Sequence, residues 1–189
     1  MRSIQQAIKI AVTGTHCTGK TSRALELAEE LASQNPGCSV GIVRETVRDC
    51  PLPINEKMTA DAQLWIMAAQ IGAEIQACAQ HDIVVCDRCI LDPYIYAGWM
   101  ANEMIHSGDR ARAVAFVAFL SNIGGLTMSW LRTYEMLYWR RPGHDRPLVG
   151  DGFRSIDPRF RRDIDSGFAE LLPGLCRAGI IPKLIEEMS

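Results

Sequence analysis

One segment constrains this 189-residue chain more than any other, the loop Gly14-Thr15-His16-Cys17-Thr18-Gly19-Lys20-Thr21. It matches the pattern G-x-x-x-x-G-K-[ST], in which backbone N–H groups surround phosphate oxygens. The mostly apolar run 7–12 before it is typical of a buried parallel strand. After it, apolar residues recur at three- and four-residue spacing over 24–32, which predicts an amphipathic helix. Strand, loop and helix therefore follow in the order that a phosphate-binding loop requires.

Each residue type in the loop has a predicted role. The glycines at 14 and 19 allow backbone conformations and close approaches that a side chain would block. Lys20 is expected to reach the β- and γ-phosphates, and the hydroxyl of Thr21 to bind Mg²⁺. The predicted nucleotide-binding residues of this segment are Gly14, Thr15, His16, Cys17, Thr18, Gly19, Lys20, Thr21 and Ser22.

The rest of the chain continues an alternation of strands and helices. Strands are predicted at 40–43, 83–86, near 135–139 and at 180–185, where Pro182 favours a sheet edge. A long helix is expected around 64–78, another from 111 to 120 or beyond, and the pairs Asp92-Pro93 and Asp157-Pro158 each predict a helix cap followed by Pro at the first helical position. We therefore expect one domain over 1–189, a three-layer α/β/α fold with about five parallel strands.

Composition excludes several classes of protein. The 20 Lys and Arg against 22 Asp and Glu leave a net charge of -2, so nucleic acid is not the expected partner. The longest uninterrupted apolar run, 113–120, is far shorter than the roughly 20 residues of a membrane span, and the N-terminus lacks a signal-peptide pattern, so we expect a cytoplasmic protein without a membrane span. Seven irregularly placed cysteines indicate reduced thiols, and the pair Cys86 and Cys89 lacks a second pair to complete a zinc site.

Charged residues follow two of the predicted strands. Glu45 and Arg48 come after the second strand, and Asp87 and Arg88 after the third. Because the carboxyl ends of parallel strands meet at one sheet edge, these side chains are expected beside the phosphate loop. There Glu45 could accept a proton from a substrate hydroxyl, Asp87 could hold Mg²⁺, and Arg88 could bind phosphoryl oxygens. Either pair alone would be interpreted as surface ion pairs.

Arginines concentrate in one stretch. The chain has 16 Arg and 4 Lys, and eight of the Arg fall between 132 and 162 around a glycine- and proline-rich loop. We interpret about 140–157 as an Arg-rich lid that neutralises charge on a transferring phosphoryl group and excludes water. The expected active-site arginines are Arg154 and one of Arg140 or Arg141. Arg141 is also predicted to bind the nucleotide. Arg159 and a neighbour are expected to be solvated.

Four separated strings, G-T-H-C-T-G-K-T, V-R-E-T-V-R, D-R-C-I-L-D-P-Y and D-G-F-R-S-I-D-P-R-F, together resemble the P-loop kinases of nucleosides and nucleotides. The resemblance spans about residues 7–186. It is strongest to the AAA-like ATPase and kinase group that contains the ribosylnicotinamide kinase domain, and it extends to thymidylate kinases. By position, it implies that the catalytic residues are Lys20, Glu45, Asp87, Arg88 and the lid residue Arg154, with Thr21 and Asp87 at the metal.

The resemblance implies a phosphotransferase that uses ATP and Mg²⁺ and moves the γ-phosphoryl group to a nucleoside-like acceptor. Asp87-Arg88 resembles the D-R pair of thymidylate kinases as much as it resembles the E-R pair of deoxynucleoside kinases. A nucleoside monophosphate therefore stays open as the acceptor. The acceptor pocket is expected between the long helix and the helix at Asp92, with Tyr94 and Trp99 also near. Its predicted residues are Glu45, Arg48, Trp65, Arg88, Asp92 and Tyr96.

Two other classes are alternatives to a kinase. A nucleotide-dependent switch of the GTPase kind would contain an N-K-x-D string, which the sequence lacks. An ATPase that drives a partner would be expected to have Glu after Asp87, where Arg88 stands instead. The expected partners are therefore a nucleotide and a small acceptor, and a homodimer is left open.

Overall fold

The computed structural model describes residues 7–143, 148 and 155–189, and this part of the chain forms five strands and five α-helices. In chain order they are β1 (Ile8–Thr13), α1 (Lys20–Gln34), β2 (Val40–Val43), α2 (Ala60–Gln80), β3 (Ile83–Asp87), α3 (Leu91–Ser107), α4 (Arg110–Leu131), β4 (Met136–Arg141), α5 (Pro158–Arg177) and β5 (Leu184–Met188). Short 3₁₀ turns at Thr46–Asp49 and Asn55–Lys57 lie between β2 and α2.

The five strands form one parallel sheet in the order β2-β3-β1-β4-β5. β1 lies at its centre, where Ala11 is paired with Cys86 on one side and Leu137 on the other. All strands run the same way, so their carboxyl ends share one edge of the sheet. The phosphate loop leaves β1 at the middle of that edge.

Helices cover both faces of the sheet, which is why β3 is buried along its whole length. On one face α1 packs Ala24, Leu27 and Ala28 against Ile10 and Val12 of β1. On the other face residues of α2, α3, α4 and α5 pack with Ala11, Val84 and Cys86 in a larger core. The predicted three-layer α/β/α fold is confirmed.

The two Asp-Pro pairs behave differently. Asp157 is the N-cap of α5, its Oδ1 accepts from Arg159 N at 2.8 Å, and Pro158 is the first helical residue, as predicted. Asp92 is not a cap. α3 begins two residues before the predicted Pro93, at Leu91, and the carboxylate of Asp92 contacts Thr13, Arg88 and Cys89 N instead. The helix-start prediction is wrong by two residues because those tertiary contacts use the carboxylate.

The last strand begins later than the prediction of 180–185. β5 covers Leu184–Met188 at the sheet edge beside β4. The apolar pair Ile180 and Ile181 lies in the turn after α5, and Ile181 is buried because it packs into the larger core. Its apolarity therefore reflects core packing and not a strand.

α4 is the one described helix long and apolar enough to cross a membrane by length and composition alone. Its best 18-residue window has a mean hydropathy of 1.5, and 28% of that window is buried. Phe116, Phe119 and Ile123 on its inner face belong to the core. A core helix passes the same test, so the expected lack of a membrane span stays a prediction.

Only the ends of the predicted lid fall within the described residues. Arg140 and Arg141 end β4, and Ser155 to Asp157 lead into α5. Arg154 and most of the loop between lie outside the described residues.

Candidate functional site

The phosphate loop is shaped by close contact with β4. At Gly14 φ is +132°, and a Cβ there would lie 2.3 Å from the backbone oxygen of Arg140. Gly19, with φ +71°, is the N-cap of α1. The Thr18 hydroxyl donates to Thr15 O at 2.9 Å, which closes the loop on itself. Both glycines are thus required by the backbone path, as the sequence indicated.

The first turn of α5 supports the same loop. The Thr15 hydroxyl donates to the backbone oxygen of Arg161 at 3.1 Å, and His16 stacks on Phe160 with ring centroids 5.3 Å apart. Arg161 is buried, whereas Arg159 is exposed and pairs with Glu103 at 2.6 Å. The sequence did not distinguish Arg161 from its neighbours, because its burial depends on this packing of α5 against the loop.

Lys20 is buried and donates to the backbone oxygen of Thr15 at 2.5 Å. Burial, and next the charge of Arg88, lower the pKa of Lys20 to about 7. Phosphate oxygens beside the ammonium would oppose both effects. An anionic ligand in the loop would therefore favour the charged form of Lys20.

Thr21 and Asp87 meet as predicted for a metal site. The Thr21 hydroxyl donates to Asp87 Oδ2 at 2.6 Å, and Asp87 Oδ1 is buried with no hydrogen-bond partner. Burial raises the pKa of Asp87, which the hydrogen bond from Thr21 partly opposes. A divalent cation would satisfy the bare oxygen, and Mg²⁺ commonly binds through one or two protein oxygens with water and phosphate completing its shell. The described residues contain no group of three or more His, Cys, Asp or Glu placed to hold a metal.

Arg88 joins the ends of three strands. Its Nε donates to Glu45 Oε1 at 2.5 Å and its Nη1 to Asp92 Oδ1 at 2.8 Å. Asp92 Oδ2 in turn accepts from the Thr13 hydroxyl at 2.6 Å. Glu45 also accepts from Arg48 Nε at 3.2 Å. Glu45 and Arg88, predicted after β2 and β3, are therefore in direct contact, and Arg48 contacts Glu45.

A cleft opens between α2 and α3, and we call it the α2–α3 cleft. Charged or polar groups and apolar side chains both line it. Its lining residues are His16, Glu45, Val47, Ile54, Asn55, Gln63, Ile66, Arg88, Asp92, Pro93 and Tyr96. This is the region in which the acceptor pocket was expected.

The cleft has polar residues that sequence reasoning missed. Asn55 and Gln63 line it, and Gln63 is buried. Gln63, Gln70 and Glu74 are all buried on one face of α2. Spacings of seven and eleven residues place them on one helical stripe. Polar residues on an otherwise apolar stripe of a helix were the sequence signal that could have indicated these positions.

Several predicted site residues lie elsewhere. Trp65 is half-buried on α2 and does not line the α2–α3 cleft, where its neighbour Ile66 does. Arg141 pairs with Asp165 at 3.0 Å and with Glu186 at 3.1 Å. Arg140 is nearer, since its Nε donates to Thr18 O at 3.4 Å. Of the other aromatics, Trp99 donates to Asp163 at 3.2 Å.

A second cleft lies between α1 and β2, and we call it the α1–β2 cleft. It contains Thr21 and Asp87, and also Arg48. Glu45 lines both clefts. One carboxylate thus separates the predicted metal and phosphate side from the α2–α3 cleft.

The chain matches the model of an AAA domain family over residues 9–113. No curated protein matches the chain. Solved structures that share the fold at low sequence identity include a NadR protein and two kinases. A NadR protein in complex with NR has a TM-score of 0.65 and 15% identity, over 97% of this chain and 46% of that one, so the present chain spans about half its length.

Two further structures match over most of both chains. The deoxyadenosine kinase from M. mycoides with bound dATP has a TM-score of 0.62 and 14% identity, over 94% of this chain and 90% of that one. A thymidylate kinase from Ehrlichia chaffeensis has a TM-score of 0.59 and 16% identity, over 96% and 87%. The described fold is thus the fold of these kinases.

Proposed function

The chain belongs to this AAA domain family, and we propose that it is an ATP-dependent kinase that phosphorylates a hydroxyl group of a nucleoside-like acceptor. The observation that carries the proposal is the position of Glu45, which lines both clefts. A carboxylate at that boundary could take the proton of an acceptor hydroxyl as the hydroxyl attacks phosphorus. The fold shared with a deoxyadenosine kinase supports this function.

The phosphate loop would bind the β- and γ-phosphates of ATP. Backbone N–H groups of the loop and the N-terminus of α1 favour anions there. Lys20 would bind the phosphates with its ammonium group, and their oxygens would raise its lowered pKa again. Thr21 and Asp87 would hold Mg²⁺, which neutralises charge on the phosphates. Their fit to a cation rests on the buried, unpartnered Oδ1 of Asp87.

The lining of the α2–α3 cleft favours a nucleoside over a nucleoside monophosphate. Glu45 and Asp92 are acceptors suited to sugar hydroxyls, and Asn55 and Gln63 present amides suited to the edge of a base. Among the described lining residues, Arg88 is the one Lys or Arg. A monophosphate would bring about two negative charges next to two carboxylates, which a single guanidinium compensates poorly.

The proposal is tested by the production of ADP from ATP and Mg²⁺ with a panel of nucleosides and nucleoside monophosphates. We expect phosphorylation of at least one nucleoside and weaker or no reaction with its monophosphate. A preference for the monophosphate would favour the thymidylate-kinase type of reaction. Equal ADP production with and without every acceptor would instead indicate an ATPase or a switch.

Glu45→Gln is the sharpest variant for this mechanism. We expect turnover to fall by about 100-fold or more, with ATP affinity within twofold, because the general base acts on the acceptor and not on ATP. Glu29→Gln is the matched control, since Glu29 is exposed on α1. A parallel loss of ATP affinity would place Glu45 at the metal and contradict its proposed role.

A further inference from the structure

A buried charged network lies beneath the site, outside both clefts. Its centre is Glu74 of α2, whose side chain is fully buried and accepts four hydrogen bonds. Oε1 accepts from Gln70 Nε2 at 2.9 Å and from the Tyr134 hydroxyl at 2.6 Å. Oε2 accepts from Lys9 Nζ at 2.6 Å and from Trp130 Nε1 at 2.7 Å.

The negative charge of Glu74 is compensated within the network. The Lys9 ammonium pairs with Oε2 and lies 4.4 Å from the ring centroid of Trp130 and 4.2 Å from that of Tyr134. A buried ion pair replaced by apolar side chains is often neutral or stabilising. Stability alone therefore does not explain the presence of this network.

The two oxygens of Glu74 have different second partners. On the Oε1 side, Gln70 Nε2 also donates to the backbone oxygen of Arg88 at 3.3 Å, and the Tyr134 hydroxyl accepts from the backbone N–H of Ile90 at 3.2 Å. Oε1 is thus linked to both ends of the turn 88–90. On the Oε2 side, the hydrogen bonds that Trp130 and Lys9 donate go to Glu74 and not to this turn.

The turn 88–90, to which Gln70 and Tyr134 link Oε1, has an uncommon backbone conformation. The φ angle of Arg88 is +90°, a region that long side chains rarely adopt. Such a conformation persists only where the surrounding contacts over-determine it. In this backbone conformation the Arg88 guanidinium contacts Glu45 and Asp92 in the α2–α3 cleft.

We propose that Glu74, acting through Gln70 and Tyr134, is a positioning residue that holds the 88–90 turn so that the Arg88 guanidinium faces the transferring phosphoryl group. The inference rests on the proposed kinase function. Burial, with the nearby Glu74 carboxylate, raises the pKa of Tyr134 well above its ordinary value, so the hydroxyl keeps its proton for Glu74.

Because the partners of Glu74 Oε1 contact the turn and those of Oε2 do not, the two sides can be compared with a matched pair of variants. Tyr134→Phe removes one hydrogen bond from Oε1 and frees the Ile90 N–H. Trp130→Phe removes one hydrogen bond from Oε2 and leaves the contacts of the turn in place. The control is stringent, because Trp130→Phe removes more atoms and should disturb packing at least as much.

We expect Tyr134→Phe to lower kcat about tenfold or more with KM for ATP within twofold, and Trp130→Phe to leave both within twofold. Hydrogen exchange at the Ile90 amide should accelerate in Tyr134→Phe only. Equal effects of the two variants on kcat and on exchange would overturn the inference. If Tyr134→Phe does not fold, Gln70→Met is measured instead, since it removes the donor to Glu74 and to Arg88 O.

A double-mutant cycle with Arg88→Ala separates this inference from the proposed function. If Glu74 acts through Arg88, Tyr134→Phe has no further effect on kcat in the Arg88→Ala background. An unchanged turnover in Arg88→Ala alone would contradict the predicted binding of phosphoryl oxygens by Arg88, and with it this inference. A large loss in Arg88→Ala, together with an additive effect of Tyr134→Phe, would overturn the positioning role and leave the kinase proposal standing.

Discussion

At the scale of single residues, Lys20 links the electrostatics of the site to pH. Burial lowers its pKa from 10.5 to about 7. Between those values the unfolded chain binds a proton that the folded chain releases, so this residue makes the free energy of unfolding rise with pH from about 7 to 10.5. Nucleotide phosphates favour the ammonium form and raise the pKa again, so binding and protonation are coupled.

We therefore expect the binding of ATP near pH 8 to take up close to one proton, and ATP affinity to fall as the pH rises above about 7. Isothermal titration calorimetry in two buffers with different ionisation enthalpies measures the uptake. Lys20→Met should abolish it while circular dichroism stays that of the wild type. The same uptake in both proteins would exclude Lys20 as its source.

At the scale of elements, the approach of the phosphate loop to β4 sets the backbone at Gly14. A methyl group there would overlap the Arg140 carbonyl, and φ of +132° is strained for any residue with a Cβ. A Cβ at Gly98, within α3, would instead meet no neighbouring group within 4 Å. The same substitution should therefore have opposite effects at the two glycines.

Gly14→Ala should lower the free energy of unfolding by about 2 kcal/mol or more and weaken ATP binding, because the loop must move away from β4. Gly98→Ala should raise the free energy of unfolding by about 0.5–1 kcal/mol, since alanine favours the helix. Urea unfolding of both variants provides the comparison. A Gly14→Ala protein as stable as the wild type would show that the loop does not need this contact.

At the scale of the whole molecule, one continuous core joins the sheet to α2, α3, α4 and α5. α1 packs on the opposite face of the same central strands. Because β1 and β3 contribute to both cores, loss of either core exposes the strands that hold the other. We propose that the chain is one cooperative unit.

A single unfolding transition is the expected result in urea. The four tryptophans lie on α2, α3, α4 and β4, so their fluorescence reports on the larger core, while circular dichroism reports on all helices. The two signals should give the same midpoint. Separate midpoints would indicate two independently folding units and contradict a single domain.

Local patterns in the sequence were enough to predict the parallel α/β class and the meeting of Glu45, Asp87 and Arg88. These patterns are the apolar period of each element and the rule that residues after parallel strands share one sheet edge. The loop around Lys20 was likewise predictable, because its glycines and its order of strand, loop and helix are local features.

Packing between distant segments, in contrast, determines which carboxylates join the site and which support it. Asp92 contacts Thr13 across 79 positions of sequence, and Glu74 contacts Lys9 across 65. The start of β5 and the burial of Ile181 also depend on such packing. Periodicity reports which side of an element faces the core, but not which side chain it will meet there. A buried polar group is stable only with its partners, and folding alone brings those partners together.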